Sequence, residues 1–504
     1  MAVKLFPPEN RSIDLSSSSD WHDRLWRNLL LEKLNTSWGY ALGLMMSLSV
    51  AWIAGAHEAS WSWTLLAATI LLPAFLASFL YPRTGILLLL GASFLVMGAK
   101  RFSEDAPLGL IIDLWLAGLA VGVIYQQTKR RDWRFLNHPL TFVVAAWVLF
   151  CGLELLNPWS RAAMGWLYAF RPLAGWMALY FVALFAITRP RHIMMLHRVW
   201  VGFVVFAALY GLWQWWTGPN SWEYAWILAD EARFDRLFGG NRFRVFSFFS
   251  DPIVLGTVSS ITSVMVMILG WREGASWRRR IFSLVTALVL LAATLASGSK
   301  LALLLMPVGL MFYTAISLRK SAMIALGVVI VMGAGVLFLP IENAFLVQVR
   351  QAINPWSTQG FLLREQNQTW VQSFIWEHPI GAGLGKTGEL GRRFAPDLWL
   401  SQFPPDSAYV RIAVEAGWLG LLLYLGLMFA VLWTGVRGLF RSESLRMKTW
   451  YQAYLTFAFL VVVGNFTQQL TIQLPIGLMF ILTMAVMVNG NQMKRQRASN
   501  SDLS

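Results

Sequence analysis

Apolar runs of 16 to 22 residues recur along nearly the whole chain, each close to the ~20 residues that carry a helix across the hydrocarbon core of a bilayer. Backbone amides in lipid must be satisfied internally, so only helices and closed barrels span a membrane. Barrel strands would read as alternating segments of about ten residues, a pattern missing from this sequence. The runs therefore predict an all-α, polytopic membrane protein. Composition agrees: 57% hydrophobic and 13% charged residues over 504 positions, with a mean hydropathy of +0.54, exclude an ordinary soluble domain. Cys151 is the single cysteine and lies inside an apolar run, so no intramolecular disulfide framework exists.

Fourteen spans are expected, at about 38–55, 62–80, 84–99, 107–126, 139–156, 172–188, 199–216, 252–270, 281–297, 301–317, 322–340, 409–434, 450–469 and 474–490. Residues 1–36 are polar and lack the short apolar core and cleavage site of a signal peptide; they read as a cytoplasmic tail before a start-transfer helix. With the N-terminus inside, the basic segments "QQTKRRDWR", "ITRPRHIMMLHR", "WREGASWRRR", "SLRKS" and "GVRGLFRSESLRMK" and the tail 491–504 all fall on the cytoplasmic side. This is the positive-inside rule, so the net charge of +15 reports topology before it suggests a nucleic-acid partner.

The expected organisation is a bundle over 37–216, an outer loop 217–251, spans over 252–340, a large outer loop 341–405, and closing spans over 406–490. Long loops of this kind tend to be functional. The first carries Arg233, Arg236, Arg242 and Arg244; the second carries Arg350, Arg364, Lys386, Arg392 and Arg393, with a helix expected near "REQNQTWVQSFIWEHP". A cationic outer face calls for an anionic partner. Arg242 and Arg244 are candidates for a phosphate or carboxylate ligand, and Asp251 before Pro252 reads either as a helix cap or as part of that site. In "LASGSKLALL", Lys300 either snorkels from a tight turn or adds to the anion site.

"HPIGAGLGKTGELG" over 378–391 is not a nucleotide loop. Ile380 stands where the first glycine of the phosphate-binding motif is needed, and only three residues separate Gly381 from Gly385. Its glycines are expected to form a compact loop whose backbone approaches a ligand or a helix end. In "PPDSAYVRIAVEAGWLG", a continuous helix would place Asp406, Tyr409, Ala413, Gly417 and Gly420 on one stripe. Arg411 and Glu415, four residues apart on the far side, are expected to neutralise each other. Asp406 has two open readings, an N-cap or a carboxylate facing a site as general base.

The ordered series "RVFSFFSDPIVLG", "SGSKLALLL", "EHPIGAGLGKTG" and "DSAYVRIAVEAGWLG" resembles the O-antigen ligase and polysaccharide polymerase family over roughly residues 240–440. The resemblance implies a GT-C-like membrane glycosyltransferase of the bacterial inner membrane with its site facing the periplasm. It also implies glycan transfer from a polyprenyl (undecaprenyl) diphosphate carrier to an acceptor hydroxyl without metal or cofactor, in O-antigen or exopolysaccharide synthesis. Carried over residue by residue, the family's outer arginine becomes Arg244, its turn cation Lys300, and its His in the HNxYLxxxxExGxxG motif Asp406. Arg233, Arg236, Arg242, Asp251, Arg364, Tyr409 and Arg411 are the expected substrate contacts. Lys300 stands where the ligases carry Arg, and Asp406 with Ser407 where they carry His-Asn, which favours polymerisation slightly over ligation. A transporter or flippase of lipid-linked oligosaccharide is the competing class, although transporters place their ionisable residues near the midplane; an assembly subunit without chemistry is the third.

Overall fold

Several helices begin where the sequence puts a polar residue before proline, because proline fits the first turn and the preceding side chain can accept an orphan amide. His138 Nδ1 accepts from the Leu140 amide at 3.2 Å, and Asp251 Oδ1 from the Ile253 amide at 2.6 Å. In the computed structural model the described residues are 75, 78–101, 109–131, 133, 136–159, 163–238, 243–338, 350, 354 and 359–501; all regular structure among them is helical. The expected spans at 38–55 and over most of 62–80, the tail 1–36 and residue Arg242 lie outside the described residues.

From the N-terminal side the helices are α1 (Pro82–Ala99), α2 (Gly109–Arg130), α3 (Pro139–Leu153), α4 (Ala163–Leu173), α5 (Ala178–Ala186) and α6 (Pro190–Thr217), then the short α7 (Ser221–Leu228) and α8 (Glu231–Phe238). They continue with α9 (Pro252–Gly270), α10 (Trp277–Ser297), α11 (Lys300–Ser317), α12 (Lys320–Phe338), α13 (Gln359–Glu377) and α14 (Gly388–Phe394), and close with α15 (Ala408–Glu415), α16 (Gly417–Arg441), α17 (Leu445–Gly464) and α18 (Ile476–Ser501). Among the described residues, nine helices are long and apolar enough to cross a membrane, and Lys320–Val331 and Ile476–Gly490 are shorter apolar helices.

Two expectations are corrected. The span placed at 172–188 begins earlier, covers Ala163–Ala186, and is broken between α4 and α5 by a 3-10 turn at Gly175–Met177, just after Pro172. The helix expected over 409–434 is two helices, α15 and α16, parted at Ala416 and Gly417, where Gly417 takes φ +68°. The small-residue stripe from Asp406 to Gly420 therefore does not run as one surface. A β-carbon at Gly417 would run into the Pro379 carbonyl, so glycine is required both for the positive φ and for the close approach.

The core is built around α9, whose sequence "PIVLGTVSSITSVMVMILG" is apolar or small on every face; 17 of its 19 residues are buried. It packs on α6, α10, α11 and α17. Lipid is as apolar as leucine, so helices associate in a bilayer through close packing and hydrogen bonds rather than hydrophobic exclusion. Gly256 meets Ser297, Ser299 and Ala302, Gly270 meets Ser283, and Trp200 Nε1 donates to Thr262 Oγ1 at 2.9 Å. The Gly256 contacts lock α9 against the α10–α11 turn, next to Lys300, while the others tie it to α10 and α6.

Candidate functional site

The start of α15 is fixed from below. Ser407, not Asp406, caps the helix: its hydroxyl accepts from the Val410 amide at 3.5 Å and donates to the Asn465 carbonyl at 3.2 Å. Gln469 donates to the Pro405 carbonyl and accepts from Arg411 Nη1 at 2.7 Å. With capping done by its neighbour, the Asp406 carboxylate points outward, and its Oδ2 accepts from Arg364 Nε at 3.1 Å. Both side chains stay solvent-accessible, at 40% for Arg364 and 49% for Asp406, so the pair can exchange partners with a ligand. A small cleft opens beside them; Asn367 and Gln368, one turn beyond Arg364 on α13, line it with Phe403 and Phe466.

Arg244 and Lys300 reach the same end of the bundle. The Val245 amide donates to the Ala296 carbonyl at 3.4 Å, and Arg244 Nε to the Ser297 carbonyl at 3.3 Å, which lays the end of the first loop along the α10–α11 turn. Gly298 turns the chain at φ +66° and Ser299 caps α11 by accepting from the Ala302 amide, so Lys300 is the first residue of α11. The charges of Arg244 and Arg364 both bear on Lys300, which ties the two halves of the site together. Burial pushes the Arg244 guanidinium below its ordinary range, while Asp251 opposes that shift. Three cations thus lie within one another's field, and one of them, Arg364, pairs with an accessible carboxylate. Such an excess suits an anionic ligand that gains charge as it reacts.

The remaining expected contacts are engaged within the fold. Arg233 lies 4.0 Å over the Trp226 ring and 3.8 Å from Asp230, and Arg236 Nε donates to the Ala232 carbonyl on its own helix. Asp251 caps α9. Tyr409 donates to the Val462 carbonyl at 2.8 Å, and Arg411 pairs with Glu415 at 3.2 Å, the neutralisation expected from their spacing.

Two further groups shape the site, and sequence reasoning missed the first of them. Arg101, just past α1, pairs with Glu223 at 3.1 Å, donates to the carbonyls of Ser247 and Phe249, and lies 4.5 Å from the Phe246 ring centre. Burial pushes it down to about 10 although Glu223 pulls the other way. It fastens the loop that carries Arg244. The second group is the glycine loop after α13. The amides of Ala382 and Gly383 donate to the carbonyls of Val414 and Glu415 at the end of α15, and the Pro379 carbonyl accepts from Leu419 at the start of α16. Thr387 Oγ1 donates to Glu415 Oε1 at 2.5 Å. Lys386, 1% exposed, brings an ammonium with no hydrogen-bond partner among the described residues into the field of Glu415. The loop thus approaches a helix end, one of the two roles its glycines allowed, and it fixes α13, with Arg364, against α15, with Asp406.

No curated protein matches the chain. Residues 285–425 match the family model described as O-antigen ligase, a segment that holds Lys300, Arg364, Asp406 and the glycine loop and stops short of Arg244. The matched segment falls within residues 240–440, where the motif series resembles the same family, so over this part the chain is similar to the O-antigen ligase family.

Proposed function

We propose that the chain transfers or polymerises glycan from a polyprenyl diphosphate carrier onto an acceptor hydroxyl at the periplasmic face of the inner membrane, with a GT-C-like architecture. The observation that carries this reading is that Lys300 feels both Arg244 and Arg364, and that Arg364 in turn holds the accessible Asp406. In the reaction the acceptor oxygen attacks the anomeric carbon, the bond from that carbon to the diphosphate oxygen breaks, and the diphosphate leaves with its charge. Arg244 and Lys300 stabilise that growing charge. Asp406 takes the acceptor proton through Oδ1, which has no partner among the described residues, while Arg364 holds Oδ2 and so orients the carboxylate. The amides of Asn367 and Gln368 and the rings of Phe403 and Phe466 offer hydrogen bonds and apolar faces to a sugar beside that oxygen. No metal takes part in this scheme.

Polymerisation is favoured over ligation because Asp406 and Ser407 replace the His-Asn of the ligases. The test is deletion of the gene followed by gel analysis of carrier-linked and surface glycan. Accumulated single repeat units identify a polymerase, accumulated long carrier-linked chains a ligase, and an unchanged glycan profile overturns the enzymatic reading.

A further inference from the structure

The far end of α9 carries a second cationic site. The helix is 19 residues long, roughly 28 Å at 1.5 Å per residue, so this end lies a bilayer core away from Asp251. Here Arg198 of α6, Arg272 in the α9–α10 turn, Arg279 in the first turn of α10 and Arg446 in the first turn of α17 converge, and the charges of the other three all bear on Arg279. The nearest acid in sequence, Glu273, is held by Arg319 at 3.0 Å, and none of the four arginines has a carboxylate partner among the described residues. Arg272 Nε and His197 Nδ1, both shut off from solvent, have no hydrogen-bond partner among those residues either. Four guanidinium groups in one place without an acid are costly unless an anion joins them.

The arginines crown an apolar groove of about 620 Å³ between α6 and α10. Val201, Val205 and Leu209 recur every four residues on α6, and Phe282, Val285 and Val289 follow the helical repeat on α10, so the groove runs along the helix axes. From Arg198 to Leu209 is 11 residues, roughly 16 Å at 1.5 Å per residue, close to one leaflet of a hydrocarbon core ~30 Å thick. A phosphate among the arginines and a chain along the walls would satisfy both halves of the site.

We propose that this groove binds an anionic glycerophospholipid of the surrounding leaflet, with its phosphate held by Arg198, Arg272, Arg279 and Arg446 and one acyl chain lying between α6 and α10. Guanidinium pairs with phosphate through two parallel hydrogen bonds. Basic pockets between membrane helices are suited to anionic headgroups. A groove one leaflet deep fits an acyl chain and not a much longer polyprenyl chain, so the site is distinct from the one proposed for the glycan carrier.

The test uses the full chain, purified and delipidated in detergent, and titrated with micelles containing dioleoylphosphatidylglycerol or dioleoylphosphatidylcholine. Retained lipid is read by native mass spectrometry. Phosphatidylglycerol is expected to be retained about tenfold better, and R279Q/R446Q to erase most of that preference. Val205→Trp, which fills the groove and leaves the arginines in place, is expected to lose phosphatidylglycerol as well, and it decides the matter if the arginine variant does not fold. Equal retention of the two lipids, unchanged retention in a folded variant, or displacement of phosphatidylglycerol by equimolar inorganic phosphate or polyprenyl phosphate would each overturn the assignment. Glycan synthesis is not the readout, so failure here leaves the proposed transferase activity untouched.

Discussion

Arg364 Nε and Asp406 Oδ2 lie 3.1 Å apart although 42 residues separate them, and they are joined through a loop whose only regular elements are one short helix and a 3-10 turn. The pair holds because both of its roots are pinned: α15 to the turn at Asn465 and Gln469, and α13 through the glycine loop to the end of α15. Being exposed, it adds little to stability, on the order of 0–1 kcal/mol. Its value lies in the direction it gives the carboxylate.

Asp406→Asn keeps the size and one acceptor oxygen but cannot take a proton. It is expected to lower glycan product at least about 100-fold, the usual worth of a positioned base, at normal membrane levels of the protein. Arg364→Gln leaves the base present but unoriented, and a smaller loss, about tenfold, is expected. Product measured on gels against protein level in the same membranes checks both; wild-type product from Asp406→Asn would remove Asp406 from the chemistry.

Much of this site can be read in the residues, and the limit is where contacts are made over long range. The Arg411–Glu415 pair follows from a spacing of four and is present as expected, and the Asp251 cap is one of the two readings open for that residue. The Arg101–Glu223 pair spans 122 residues and could not be found that way. The break at Gly417 was hidden for a related reason. Hydropathy continues through "VEAGWLGLLL", and only the distant Pro379 carbonyl shows why the chain must turn there.

Gly417→Ala tests that joint. Alanine must adopt φ +68° and push its β-carbon against the Pro379 carbonyl, and Gly381→Ala meets the Gly417 amide from the other side. Strain of this kind costs about 1–3 kcal/mol before the clash is counted. Both variants are expected to fall in thermal stability and in glycan product together, whereas Gly426→Ala, where the added carbon meets nothing, should match the wild type in both.

Arg101→Met leaves Glu223 buried without its cation, and breaking such a pair costs about 3–5 kcal/mol. The loss should be local, because Arg101 holds the carbonyls of Ser247 and Phe249 just after Arg244. Limited proteolysis in detergent should cut the variant between residues 221 and 251 at protease levels that leave the wild type whole. The double variant Arg101→Met, Glu223→Leu should stay sensitive, since it restores neither the bonds to the Ser247 and Phe249 carbonyls nor an acceptor for Tyr210 and Gln214.

Lys386 gives the chain a pH signature. Burial pushes its ammonium below the ordinary lysine value, and Glu415 opposes the shift only in part. Between that lowered value and 10.5 the unfolded chain binds more protons at this residue than the folded one, so the Lys386 contribution to stability rises with pH across that window. Below that lowered value both states hold the proton and the cost of burying the charge is present in full. The difference in melting temperature between wild type and Lys386→Met should therefore move in favour of the wild type as pH is raised from 7.5 towards 10.5. Thermal unfolding of the two proteins in the same detergent measures this, and a difference that stays flat over the range would mean that Lys386 is charged and satisfied in the folded state, with Glu415 compensating its burial entirely.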